Sequence, residues 1–176
     1  YGWALAQPLH PVFTSEFITK VQDFHALGIA REGAGWRVRG SGALRTLRVP
    51  NALGTPQTDL SQGVAGWREG PEGAYVHMTG SQAWLRTAEA VAARTPALHE
   101  ANARIEHWDM QPQGGEFHLQ GHVPLEFSMQ LRPECQLRAH QRPLTAVPGR
   151  APSRPGIRHF RTNDVTARIQ VICPAR

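Results

Sequence analysis

From Gly28 onward the side chains of this chain alternate between apolar and polar with a period of two, and that rhythm limits the fold more than any other feature. Such a period sends successive side chains to opposite faces of a β-strand. Gly35-Trp36-Arg37-Val38-Arg39 alternates and ends at Gly40-Ser41-Gly42. Leu44 to Val49 follows and stops at Pro50. Val64 to Trp67 runs into Gly70-Pro71-Glu72-Gly73, a turn signal, and Tyr75-Val76-His77-Met78 runs back as the second arm of a hairpin. Gln82 to Thr87, Arg104 to Trp108, Glu116 to Leu119, Leu125 to Met129, Gln136 to Ala139 and Ala167 to Cys173 read the same way. In all, about nine to eleven short strands are predicted. A half-apolar sheet of that size needs a second sheet to cover it. The expectation is therefore a two-sheet β-sandwich, jelly-roll-like, over residues 29–176. Ala88 to Ala93 could form a short helix, Pro143 to Pro155 reads as a loop, and no internal repeat is visible.

The first 28 residues follow a different rule. Phe13, Phe17, Val21 and Phe24 recur at helical spacing, with Thr14 or Ser15 placed to cap the start and Gly28 to stop the end. The predicted architecture is thus mainly β with a short N-terminal helical segment. Before the helix, Gln7-Pro8-Leu9-His10-Pro11 is held extended by its prolines.

Composition narrows the function classes. The chain has 176 residues and a net charge of +5, and all but Lys20 of its 19 Lys plus Arg are arginine. A cationic chain can bind nucleic acid or another anionic polymer. Here the arginines are scattered and no basic block occurs, so solvated strand faces are the simpler reading. No secretory leader is visible in this sequence, and no apolar run approaches membrane-spanning length. The chain starts without a methionine and reads as a processed or partial piece. Cys135 and Cys173 lie in no CxxC pair, which excludes a thiolate zinc site. They are either bridged, which implies an oxidising compartment, or two buried free thiols.

Motifs for catalysis are few. The nine histidines are His10, His25, His77, His99, His107, His118, His122, His140 and His159, with no HExxH or helical HxxxH among them. His118 and His122 would share a face only if one strand ran through Gly121. Ser41 sits in a flexible Gly-Ser-Gly turn, not in GxSxG. Asp109 and Glu116 could meet across a hairpin. No metal site is predicted within this chain.

The aromatics are more suggestive. Sugars present flat C–H faces that stack on aromatic rings flanked by polar groups. Alternation puts Val76, Met78, Ala83 and Leu85 inward. Tyr75, His77, Trp84 and Arg86 then face outward. Trp67, Tyr75, His77, Trp84 and Trp108 are the candidate carbohydrate-binding residues, with core or edge cover as the competing role for each ring.

Four stretches together resemble a known family: Gln7 to Phe17, Gly42 to Pro50, Ser61 to Trp67 and Gly121 to Phe127. They are similar to the C-terminal region of the PelA-like proteins of Pel exopolysaccharide production. Those are periplasmic multidomain proteins that join a glycoside hydrolase to a polysaccharide deacetylase. The resemblance implies that residues 1–28 end an upstream deacetylase barrel and that the β domain is a non-catalytic accessory part of a biofilm-matrix hydrolase. Family deacetylases hold a divalent metal with an Asp and two His and use a late His as acid. Only His10 could be that late His, and the metal-binding motifs are missing from this chain. The resemblance therefore implies an inactive fragment without its own cofactor. Its partners would be an amino-sugar polymer and neighbouring domains or export-complex proteins, in the periplasm or outside the cell. The charge of +5 adds that the neutral, acetylated polymer should be preferred. The competing reading is a standalone esterase or glycosidase on a β-sandwich.

Overall fold

The computed structural model describes residues 14–89, 96–148 and 156–174, and in it the chain is a mainly-β sandwich preceded by one helix. His10, the start of the lead-in, the Ala90–Ala93 part of the possible helix and much of the Pro143–Pro155 loop lie outside the described residues. The helix α1 spans Thr14–Ala26. Among the described residues fifteen strands follow, all paired antiparallel.

The first half holds β1 (Gly28–Glu32), β2 (Gly35–Arg39), β3 (Thr46–Pro50), β4 (Thr55–Pro56), β5 (Val64–Gly70), β6 (Gly73–Met78) and β7 (Ala83–Ala88). They form two sheets, ordered β1-β2-β7-β4 and β3-β6-β5. Both sheets send side chains into one cluster of Val38, Val49, Val64, Val76, Met78 and Leu85. The alternation read from the sequence is realised here. Val76 and Met78 are buried while Tyr75 and His77 point the other way, and Ala83 and Leu85 are buried while Gln82 and Arg86 are exposed.

The second half holds β8 (Ala97–Ala101), β9 (Arg104–Gln111), β10 (Gly114–Gln120), β11 (Glu126–Gln130), β12 (Gln136–Ala139), β13 (Arg142–Leu144), β14 (Ile157–Arg161) and β15 (Thr166–Ile172). Its sheets are ordered β13-β12-β15-β10-β9 and β14-β11-β8. At its centre Phe117 meets Phe127 edge to face and Phe127 stacks on Phe160, with centroids 5.7 and 5.4 Å apart. Burying each such ring contributes about 2–3 kcal/mol. The sandwich thus has two buried clusters, one in each half, rather than a single core.

A disulfide joins Cys135 to Cys173. The β12–β15 ladder pairs Gln136 with Ile172, so the two cysteines occupy its next rung, with Cα atoms 4.2 Å apart. That spacing suits a directly opposed antiparallel pair. Register, set by the alternating apolar residues, therefore brings the thiols together.

The two halves meet along β5 and β8, each an edge strand of its own sheet. Ala65 from β5 belongs to the second cluster. Gly66 lies against the Leu98 backbone, where a Cβ would stand 2.0 Å from the Leu98 carbonyl oxygen. One side chain crosses the seam. The His77 ring reaches over from β6 and its Nε2 lies 2.8 Å from the His99 carbonyl, which makes Nε2 the protonated, donating nitrogen.

Burial drives the His77 pKa below the ordinary histidine value, against the opposing pull of the His99 carbonyl. Arg68 and the His99 ring push the same way as burial, and Glu100 opposes. Because the folded pKa is the lower one, the unfolded chain binds more protons, so stability rises with pH across the gap. The contribution is complete above the unfolded value of about 6.5 and is lost as pH falls from there through the folded pKa. Thermal midpoints measured between about pH 7 and 5 should fall, and less steeply in His77→Gln. Equal slopes would remove His77 from the account.

Candidate functional site

The five candidate residues do not share one platform. Trp84 lies on the outer side of the first sheet, its Nε1 donates to the Glu32 carbonyl at 3.3 Å, and its ring covers Gly35. Tyr75 lies on the outer side of the second sheet. The Arg68 guanidinium sits 5.0 Å from its ring centre, and the ring covers Gly70. His77 is held at the seam. Each of these three is engaged in covering or tying backbone.

Trp67 and Trp108 line grooves. Trp67 packs half-buried on the first cluster and borders a groove of about 470 Å³, together with Leu53, Pro56, Glu69 and Glu89. Trp108 borders the second groove, of about 530 Å³, which lies between the two halves. One wall comes from the Thr58–Leu60 turn of 3-10 helix, Ser61, Val64 and Thr79; the other comes from Pro96 and from Trp108, Asp109 and Met110 on β9. The Trp108 ring lies 5.1 Å from Phe117 and packs against the second cluster, and the residue borders the groove. Binding sites favour such clefts at the junction of two packed units. Among the described residues, the charged ones that line the two grooves are Asp59, Glu69, Glu89 and Asp109, all acidic.

Asp109 and Glu116 do face each other across the β9–β10 ladder. Arg168 from β15 reaches Glu116 at 2.9 Å, and His118 lies 3.7 Å away. The Arg168 hydrogen bonds hold the Glu116 carboxyl below the usual carboxylate range. On the next rung on that face, His107 and His118 bring their rings within 5.3 Å. His122 lies past the end of β10, so it does not share a strand with His118. Among the described residues no group of three His, Cys, Asp or Glu is placed to hold a metal ion.

A serine that sequence reasoning passed over makes the closest approach to a catalytic set. Ser128 pairs with Glu100 on one side and His159 on the other, across β8, β11 and β14. Its Oγ lies 3.2 Å from the Glu100 carboxylate and 2.9 Å from His159 Nδ1. With the single hydroxyl proton donated to Glu100, His159 Nδ1–H must donate to Oγ. The imidazole is then a donor to the serine, the reverse of the general base a nucleophilic serine needs. Ser128 is also only 1% exposed. The row ties three strands together. Ser41, the other serine considered, is fully buried in its turn, with its N–H bonded to the Ser81 carbonyl at 3.2 Å.

Helix α1 is mounted with its apolar side outward. Asp23 accepts the Ala43 N–H at 2.6 Å, and Gly42 leaves room for that carboxylate, since a Cβ there would overlap it. Phe17, Ile18, Val21 and Phe24 are 57, 51, 39 and 66% exposed. No helix among the described residues is long and apolar enough to cross a membrane. Compared with known proteins, the chain matches no family model, no curated protein and no solved structure.

Proposed function

We propose that this chain is a non-catalytic accessory domain of a carbohydrate-active protein and that it holds glycan in the groove between its two halves. The observation that carries the reading is the Trp108 groove. It is lined by the aromatic residue Trp108, by apolar neighbours in Met110 and Val64, and by polar residues that include Thr58, Ser61 and Thr79. That mixture suits a sugar, which needs stacking on its C–H face and a few directed hydrogen bonds. The resemblance to PelA-like proteins supports the same role, in a deacetylase that serves exopolysaccharide and biofilm-matrix production. In that reading a divalent metal belongs to the upstream deacetylase domain. The disulfide suits a periplasmic or secreted setting. The outward apolar stripe of α1 favours a second, compatible role, docking on a neighbouring domain or export partner.

Calorimetric titration of the purified chain with short neutral and amino-sugar oligosaccharides tests the reading. Saturable binding is expected, weakened about tenfold or more in Trp108→Ala, a loss of about 1.4 kcal/mol. Trp108→Phe, which keeps the contact with Phe117, should retain the fold and lose less. Binding that ignores both variants would move the site elsewhere. Turnover of acetylated or glycosidic reporters by the chain alone would favour the standalone enzyme instead.

A further inference from the structure

We infer that His107 and His118 form a two-imidazole site for a divalent transition-metal ion of the zinc or copper class, on the outer face of the β9–β10 ladder. The inference does not depend on the glycan reading. The two residues stand directly opposite each other on one rung, so both side chains leave the same face of the sheet. Register is fixed there, because slipping either strand by one residue would pull Phe117 or Trp108 off the second cluster. The ring centres lie 5.3 Å apart. An ion that binds imidazole nitrogens at about 2.0–2.1 Å with tetrahedral angles places two ring centres about 5 Å apart. The strands therefore already hold the rings at the separation that one shared ion needs. Rotation about the side-chain bonds is all that remains to aim the nitrogens.

The surroundings favour the ion. His118 Nε2 is shut off from solvent and makes no hydrogen bond among the described residues. A ring nitrogen in that state costs free energy that ligation would recover. The His118 side chain as a whole is 38% exposed and His107 is exposed, so an ion reaches the pair from solvent. On the next rung of the same face stand Asp109 and Glu116. Arg168 lies opposite His118 on β15, but its guanidinium bonds Glu116 Oε2, while Glu116 Oε1 lies 3.7 Å from His118 Nε2. Two carboxylates against one guanidinium make the patch favourable to a cation. Imidazole selects zinc, copper or nickel, where magnesium and calcium want oxygen. The two rings are the protein's whole share of the ligands, and water completes the shell. Once one ring is bound, the second ties intramolecularly, which is why the pair holds an ion that a lone histidine does not.

The test is calorimetric titration of the full chain, carrying no added histidine tag, with zinc chloride near pH 7.5, where imidazole is available as a ligand. Binding of a single ion with micromolar affinity is expected. His107→Gln and His118→Gln should each weaken it about tenfold or more. His122→Gln, beyond the end of β10, should leave it unchanged. Zinc should raise the thermal midpoint of the parent and of neither ligand variant. In the parent itself, substoichiometric copper(II) should broaden the NMR ring signals of His107 and His118 before those of the other histidines, a readout that needs no variant to fold. Absence of saturable binding, a loss in only one of the two variants, or broadening centred on other histidines overturns the inference.

Discussion

Gly66→Ala is expected to be the most damaging single-methyl change in the chain, lowering stability by about 2–5 kcal/mol. The added Cβ would stand 2.0 Å from the Leu98 carbonyl oxygen and 2.7 Å from the Leu98 nitrogen. Both are backbone atoms of a paired strand, so neither can swing away as a side chain could. The residue also has φ +155°, which alanine rarely adopts. Relief requires β5 to leave β8, and that withdraws Ala65 from the second cluster and stretches the His77 bond to His99. Gly80→Ala is the matched control, because nothing lies within 4 Å of a Cβ there, and it should change stability by no more than about 0.5 kcal/mol. Urea unfolding of the two variants beside the parent gives the comparison. Indistinguishable midpoints would mean that the halves do not depend on this contact.

Removing the disulfide should rank next. The bond closes a separation of 38 residues and sits buried at the end of the β12–β15 ladder. Constraining a loop of that size in the unfolded chain stabilises the fold by about 3–4 kcal/mol. For a chain of this length that corresponds to a fall of about 10 °C in the thermal midpoint. Cys135→Ala with Cys173→Ala should show it, and reductant should lower the parent towards the same value. The Arg158 guanidinium bonds the Cys135 carbonyl at 2.7 Å, so the local backbone keeps one tie when the sulfurs are removed. The loss should therefore be one of stability, with the strand pairing kept in circular dichroism. A double variant melting within about 2 °C of the parent would show that the ladder alone holds these strands.

The alternation of side chains made the strands around Val38, Val76, Leu85, Phe117 and Ile169 legible, because each buries one face and wets the other. β8, β14 and β1 break the rhythm and were not readable. β8 and β11 shift register between Ser128 and Met129, so Ala97-Leu98-His99-Glu100 shows no clean alternation. β14 reads Ile-Arg-His-Phe-Arg, with two polar residues between its buried ones. β1 is exposed at all five residues and carries no apolar signature. The two-part core was hidden for a topological reason. Nothing local announces that β7 leaves the β5–β6 hairpin to pair with β2. The spacing of Phe17, Val21 and Phe24 disclosed a helical stripe, but not that Asp23 would anchor the opposite side.

The candidate site was half legible. Two of the five candidate residues, Trp67 and Trp108, are half-buried rings that border grooves. The Trp108 groove itself could not be read, since its walls come from residues 58–64, 79, 96 and 108–112.

The seam between β5 and β8 has a mechanical consequence. The groove takes one wall from each half, so its width is set by the angle at which the halves are locked. Whatever fits snugly there must resist any rotation that would part the walls, and the lock must in turn sharpen the grip. On the proposed glycan-holding role, weakening the clasp at Gly66 or His77 should weaken binding in the groove, and binding there should strengthen the clasp. A domain arranged in this way behaves as a caliper whose pivot and jaws answer to one another.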